Sequence, residues 1–390
     1  MSDLNSLAPD NRDLSMFPGE YGLPFLGKTV EFVKDTLAMC NKHYEKYGPV
    51  SRLDMVKNQR VLMCLGPEFN EATLFDPKGN FSVAGGYASS LGGLYPDGML
   101  TRDDAKHKRT RRASQPAFKN DALKTYVDML IPIQERRIQD LPINEEFIFY
   151  DNIQKTLMDV AARVFIGLDE LSPEAKKLGQ LFSEINEGLI TPLPYDLPFL
   201  QFRKSLKARE ELRQFFIENI PKRRGSNGLD MFTRYCNAKD EDGEYLDDID
   251  IDGHIAFLLF AAFDTTTSAL TNILYYLGKN PEWQDKVRNE IFSVTNEMPT
   301  FEDLAEMNLT EYVFQETLRF YPSVMVLNRR TTRDVNVAGY DIPANTVVMI
   351  SPPFTHRMEQ WWDDPYTFDP MRFSPERAEH KRHGFSYVPF

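Results

Sequence analysis

One run dominates the pattern of apolar and polar positions along this chain. Residues 255–277 read IAFLLFAAFDTTTSALTNILYYL, apolar almost throughout but broken at the centre by Asp264, Thr265, Thr266 and Thr267. Its length and apolar density predict a long core helix, opened by Asp250 or Asp252 and ended by Gly278. An unpaired carboxylate buried among Phe and Leu costs several kcal/mol. Threonine forms helix poorly, and its hydroxyl bonds back to a carbonyl one turn earlier and bends the axis. A helix that keeps such a cluster points to proton handling, or to a polar ligand held in a dry site.

The rest of the chain is organised around that helix. A helical pattern covers about 29–47, and VSRLDMV and RVLMCL flank 57–59 as a β-hairpin. Residues 84–98, AGGYASSLGGLYPDG, have the composition of a mobile loop. Helical patterns then continue to Tyr321; Asn280-Pro281 opens one helix, and Thr300 with Asp303 forms a capping box for another. Short β-like runs return in RDVNVAGYDIP and TVVMISP, with turns at Gly339 and Pro343. The fold class is mainly α with a smaller β part contributed by both ends, about 48–80 and 325–355. A helical part lies at 81–324 and an irregular stretch at 355–390. Residues 1–14 read as a polar tail, and 15–390 as a single domain.

Composition narrows the function. The 42% hydrophobic content and 28 Phe provide a large core, while a net charge of −13 excludes a nucleic-acid partner, which needs clustered positive charge. Cys40, Cys64 and Cys236 form no CxxC pair, so neither a zinc site nor a disulfide framework is indicated, and a reducing compartment is. The N-terminus lacks the apolar core of a signal peptide, and Asp264 interrupts the one long apolar run. The expectation is a soluble, cytoplasmic protein. Any membrane contact is peripheral, through the proline-rich apolar segment 189–200.

A second unusual constellation lies in residues 308–322, NLTEYVFQETLRFYP. Leu309, Tyr312, Val313 and Phe320 mark the buried stripe of a helix. Glu316 falls on that stripe and Arg319 is its i+3 neighbour, so the two can pair. A buried pair needs further partners to offset its desolvation, and Arg372 in FDPMRF is a candidate third member.

Taken together, these motifs resemble the cytochrome P450 haem-thiolate monooxygenases over nearly the whole chain. Residues 261–266, AAFDTT, resemble the family's oxygen-pocket signature, with Ala262 in place of the usual Gly. Glu316-Thr317-Leu318-Arg319 is similar to its Glu-x-x-Arg pair, and 368–373 to the segment supplying the third charge. Residues 107–112, HKRTRR, resemble the helix that meets the haem, with His107 replacing a common Trp.

The resemblance implies haem b and electrons from NAD(P)H through a ferredoxin- or flavoprotein-type donor. It implies that Asp264 and Thr265 relay protons, that Ala261 and Phe390 flank the cofactor, and that His107, Arg111 and Arg329 neutralise its propionates. Glu316, Arg319 and Arg372 are then scaffold. The basic helix around Lys106 and Arg109 is a docking face for an acidic donor. The substrate class is hydrophobic: a sterol, retinoid, terpenoid or fatty-acid-like molecule, the entry segment and residues 100–118 being similar to the sterol-demethylase and retinoid-hydroxylase branch.

The family's axial cysteine follows a Phe placed as Phe390 is, and residues 1–390 do not include it. The chain is therefore expected to be a fragment that forms no thiolate-ligated haem as it stands, with no metal ligand of its own. The alternative is a non-catalytic relative that binds an apolar ligand or a protein without haem. A haem isomerase of the same fold is a nearer rival that the Asp264-Thr265 pair disfavours.

Overall fold

The computed structural model describes residues 13–56, 59–191 and 195–389. Among them the strands are β1 (Gly19–Glu20), β2 (Val50–Asp54), β3 (Arg60–Cys64), β4 (Phe81–Ser82), β5 (Leu327–Thr331), β6 (Val335–Val337), β7 (Tyr340–Ile342) and β8 (Val347–Ile350). The first helices are α1 (Thr29–Lys34), α2 (Thr36–Tyr47), α3 (Pro67–Leu74), α4 (Val83–Leu91), α5 (Asp104–Ser114), α6 (Asn120–Gln139) and α7 (Phe149–Val160). Then follow α8 (Pro173–Leu189), α9 (Gln201–Arg223), α10 (Met231–Cys236), α11 (Asp248–Lys279), α12 (Pro281–Val294), α13 (Asn308–Phe320) and α14 (Pro352–Thr355). The architecture is mainly helical with a smaller sheet, as the patterning predicts.

The chain divides into two compact units. The first comprises Met1–Ala88, Asn272–Val287 and Asn308–Phe390; the second comprises Ser89–Thr271 and Arg288–Met307.

The first unit is built on a six-stranded sheet of order β1-β2-β3-β8-β5-β4. The expected hairpin pairs β2 with β3, Val50 opposite Cys64 and Leu53 opposite Val61, and β8 adds in parallel with Leu62 beside Val348. Successive side chains serve opposite faces. Val50, Leu62, Cys64, Val348 and Ile350 pack with Phe69 on one side. Leu53, Val61, Met63 and Met349 pack with Met39, Cys40 and Phe354 on the other. Burial on both faces explains why β3 reads as a continuous apolar run rather than an alternating one.

Three local expectations change, and a fourth falls partly outside the described residues. The helix expected over 29–47 breaks at Asp35, whose extended backbone (φ −157°) lets its carboxylate accept the Ala38 N–H at 2.8 Å and cap α2. The loop expected at 84–98 begins instead with α4. Its glycines serve close approach, since a Cβ at Gly86 would stand 2.6 Å from the Asn328 carbonyl oxygen on β5. The long helix α11 starts earlier than expected, at Asp248, and continues past Gly278 to Lys279. Asp250 and Asp252 sit within it as buried acids. Segment 189–200 straddles residues 192–194, which lie outside the described residues. Beside them Ile190 is 85% exposed and Phe199 98%.

In the second unit the buried acids hold α11 in place. Asp250 pairs with Arg102 at 2.7 Å, and Arg102 also reaches Asp97 at 3.3 Å. Asp252 takes both terminal nitrogens of Arg209 on α9, at 3.0 and 2.7 Å. Gly253 lets the Asp97 backbone lie against the helix, because a Cβ there would stand 2.6 Å from the Asp97 carbonyl oxygen. Among the described helices α11 has the length and composition to cross a membrane, with a mean hydropathy of 1.3 over its best window. Its first turns nevertheless carry these two salt-bridged carboxylates. Asp252→Ala would leave the Arg209 cation buried without a partner, a loss of about 3–5 kcal/mol. The check is a chemical-denaturation midpoint, with Asp252→Asn expected to lose less.

Candidate functional site

The polar centre of α11 is built by the helix itself. The Thr265 hydroxyl donates to the Ala261 carbonyl at 2.7 Å, Thr267 to Phe263 at 2.9 Å, and Thr271 to Thr267 at 2.7 Å. Each hydroxyl is thus bonded one turn back, the competition with the helix ladder that threonine imposes. Ala261 and Thr265 are brought together; Asp264 is not buried as expected. It is exposed on the wall of a cavity of about 960 Å³, with Phe263, Phe182, Met158 and Asn186 among its neighbours. The apolar run surrounds Asp264 in sequence, but its own step around the helix faces open space. Partial burial still raises its carboxyl above the ordinary value, with no basic partner among the described residues offsetting it. Asn186 also accepts from the Tyr95 hydroxyl at 2.9 Å, and the Tyr95 ring stacks on Phe260 at 4.9 Å.

His107 and Arg111 stand one turn apart on α5. Burial, and then the Arg111 charge, hold the His107 imidazole below its usual pKa. Arg111 borders a cavity of about 460 Å³ with Met99, Phe118, Phe257, Leu258 and His254. It has no acidic partner among the described residues, whereas its neighbours Arg109 and Arg112 pair with Asp240 and Glu241. A mostly apolar wall with an uncommitted guanidinium fits the edge of a flat ring bearing carboxylates. His254 is buried, its Nε2 has no hydrogen-bond partner, and desolvation pushes its pKa down to about 3.

Arg329 lies on β5 in the first unit, where its Nη1 donates to the Asn328 carbonyl at 2.8 Å. Its neighbour Arg330 points to the opposite side of the strand and is committed internally, to the Gly85 carbonyl at 3.1 Å and Asn345 at 3.0 Å. Phe390 lies outside the described residues.

The charged group around α13 is compact and dry. Glu316 and Arg319 are fully buried and paired at 2.7 Å, with Arg372 on Glu316 at 3.1 Å. A fourth charge, absent from the sequence reading, completes it: buried Glu379 accepts from Arg372 at 2.8 Å. The remaining Arg372 donors reach the carbonyls of Asp363 at 2.6 Å and Thr367 at 3.0 Å. Glu379 sits in a charged run that reads as surface, and only the chain reversal beyond Arg372 turns it inward. His356 was also missed. Its Nε2 accepts the Val388 N–H at 2.8 Å, so Nδ1 carries the proton toward the Arg319 carbonyl at 3.1 Å. Burial and the Arg319 charge lower its pKa to about 3.

None of the three cysteines is placed to hold a metal. Cys40 and Cys64 pack in the two sheet cores and Cys236 is buried on α10. Burial raises all three thiols, Cys40 to about 11 and Cys236 to about 12.

Comparison with known proteins decides what these features belong to. A family model for cytochrome P450 matches residues 17–390. The chain is a cytochrome P450. A putative cytochrome P450 136 from Mycobacterium tuberculosis is 31% identical, over 98% of this chain and 78% of the relative. A sterol 14-demethylase from Arabidopsis thaliana is 26% identical, over 94% and 78%. Among solved structures, a retinoic acid-bound cyanobacterial CYP120A1 superposes with a TM-score of 0.86 at 28% identity, covering 96% of this chain and 85% of that one. Membership carries haem iron and monooxygenase chemistry in general. In this cytochrome P450 the apolar cavity beside Arg111 is a candidate place for the ring, and none of Cys40, Cys64 and Cys236 lines it.

The two depressed histidines predict a pH dependence. Unfolded histidine titrates near its ordinary value of about 6.5. The folded chain refuses those protons until about pH 3. Stability from both groups is therefore complete above about pH 6.5 and lost as pH falls, by up to about 1.4 kcal/mol per unit for each. Denaturant midpoints measured from pH 7 to pH 5 should fall, and His254→Leu should flatten that slope.

Proposed function

We propose that this cytochrome P450 inserts one atom of dioxygen into a hydrophobic, lipid-like molecule of sterol, retinoid, terpenoid or fatty-acid type. Electrons come from NAD(P)H through a ferredoxin- or flavoprotein-type donor. The observation that carries the reading is the acid–alcohol step on α11, where Asp264 opens to a cavity and Thr265 leans on the Ala261 carbonyl. The relative named for sterol demethylation and the retinoic acid-bound structure support the substrate class. Free, buried cysteines support a reducing, cytoplasmic setting.

Haem iron, when bound, supplies the activation of dioxygen. The protein's own residues do the rest. Asp264, its carboxyl raised above the ordinary value by partial burial, exchanges a proton with water in the cavity. The Thr265 hydroxyl, released from Ala261, passes a hydrogen bond into the reaction pocket. His107 and Arg111 on α5 would bind the carboxylates of the cofactor, and for Arg329 the family resemblance alone supports the same role. Glu316, Arg319 and Arg372 hold the segment after α13 rigid.

Titrating the purified chain with haemin and following the Soret band tests this. Stoichiometric uptake, weakened about tenfold by Arg111→Ala, is expected. A carbon-monoxide difference band of thiolate type from residues 1–390 would mean that one of the three buried cysteines ligates iron. In turnover of a form that also carries the axial cysteine, Thr265→Ala should divert electrons to peroxide and cut product per electron pair about tenfold or more, with haem retained. A second reading is an apolar-ligand binder that takes no haem; tight binding of an apolar ligand together with failure to bind haemin selects it.

A further inference from the structure

The strongest unassigned feature lies where α5 meets the chain between α10 and α11. Helix α5 carries Lys106, Lys108, Arg109, Arg111 and Arg112, a density of positive charge at odds with a chain of net charge −13. Facing it is a tight acidic hairpin. Lys239 and Tyr245 bridge its base, the Asp240 N–H donates to the Glu244 carbonyl at 2.9 Å, and Gly243 takes the positive φ of 80° that the turn needs.

Asp240 works on both sides of this hairpin. Its Oδ1 accepts the N–H groups of Asp242 and Glu244, each at 3.0 Å, which fixes the loop. Its Oδ2 then accepts from Arg109, Nε at 2.9 Å and Nη2 at 2.8 Å. Glu241 pairs with Arg112. Asp242 and Glu244 are exposed and add two negative charges with no ion pair among the described residues. On the helix, Lys106 stands 3.9 Å from Asp250, and Lys108 is exposed without an acidic partner among the described residues. The expectation that Arg109 is open to a partner is thus corrected: an acid from the same chain already occupies it.

We infer that the 239–245 hairpin is a built-in acidic competitor for the basic face of α5, which an acidic electron-donor protein must displace to reach Arg109 and Arg112. This rests on the proposed reading that the donor docks at α5. Charge complementarity identifies the occupant, because the surface already binds carboxylates in the geometry a donor's acidic patch would supply. Both ion pairs are exposed at one or both ends, so they are individually weak and screened by salt, and displacement is easy. Lys106 and Lys108 remain for the first encounter. Four hairpin carboxylates beside them repel weakly acidic proteins and admit only a partner acidic enough to win the exchange.

The test uses the 390-residue chain and an acidic [2Fe–2S] ferredoxin, with affinity measured calorimetrically at low and physiological ionic strength. The triple variant Glu241→Gln, Asp242→Asn, Glu244→Gln removes the competing charge and leaves Asp240 to hold the turn. It should bind the ferredoxin about five- to tenfold more tightly than the wild type, with a steeper salt dependence. Unchanged or weaker binding overturns the inference. Lys108→Glu should weaken binding in both backgrounds. If it weakens binding while the triple variant has no effect, the competitor is wrong and the docking face stands. If the ferredoxin binds and Lys108→Glu has no effect, the docking face itself is wrong, and absence of binding in every form overturns both.

Discussion

Two guanidiniums and two carboxylates held beyond the reach of water constrain the first unit more than any apolar contact does. Glu316, Arg319, Arg372 and Glu379 cannot be separated without leaving an ion in a medium that does not solvate it. Their geometry therefore fixes what surrounds them. Residues 356–379 form little regular structure, so their carbonyls need side-chain partners. Arg372 supplies them at Asp363 and Thr367, and Arg319 supplies one at His356. Asp369 N–H returns a bond to Glu316 at 2.9 Å. A charged cluster thus does for an irregular segment what a ladder of backbone bonds does for a strand.

The second unit uses buried charge differently, to position one helix. Asp250 and Asp252 clamp the first turns of α11 to Arg102 and Arg209, so the rotation and height of the helix are set where it is best buried. The acid–alcohol step follows about three turns later. With the axis anchored, Asp264 has nowhere to turn but the cavity, and Thr265 meets the Ala261 carbonyl. An acid in this place is neither fully dry nor fully solvated.

On α5 five cations in eleven residues are divided among separate tasks. Arg111 faces the apolar cavity, Arg109 and Arg112 are taken by the acidic hairpin, and Lys108 is left to solvent. The division follows the helical step of about 100° per residue, which sends Arg111 and Arg112 to different sides. Identical charges in one short run thereby differ in availability.

Much of this was written in the residues themselves. Apolar runs flanking a turn located the β2–β3 hairpin, helical periodicity located α13, and motif order pointed to the family, because these signals are local. Glu316 with Arg319 was legible because one turn of helix brings them together whatever else the fold does. Glu379, His356 and the pairing of Arg109 with Asp240 were not, since their partners lie on other segments of the chain and no local rule brings them there. Nor could apolar neighbours in sequence tell whether Asp264 is buried: flanking residues set which helix carries it, but only the packing of α7 and α8 beside α11 leaves a space for it to face. Sequence by itself decided the elements and their chemistry, because periodicity acts within a few residues. Tertiary structure alone decided which charges are dry, which are paired and which remain free, because desolvation depends on everything packed around a group.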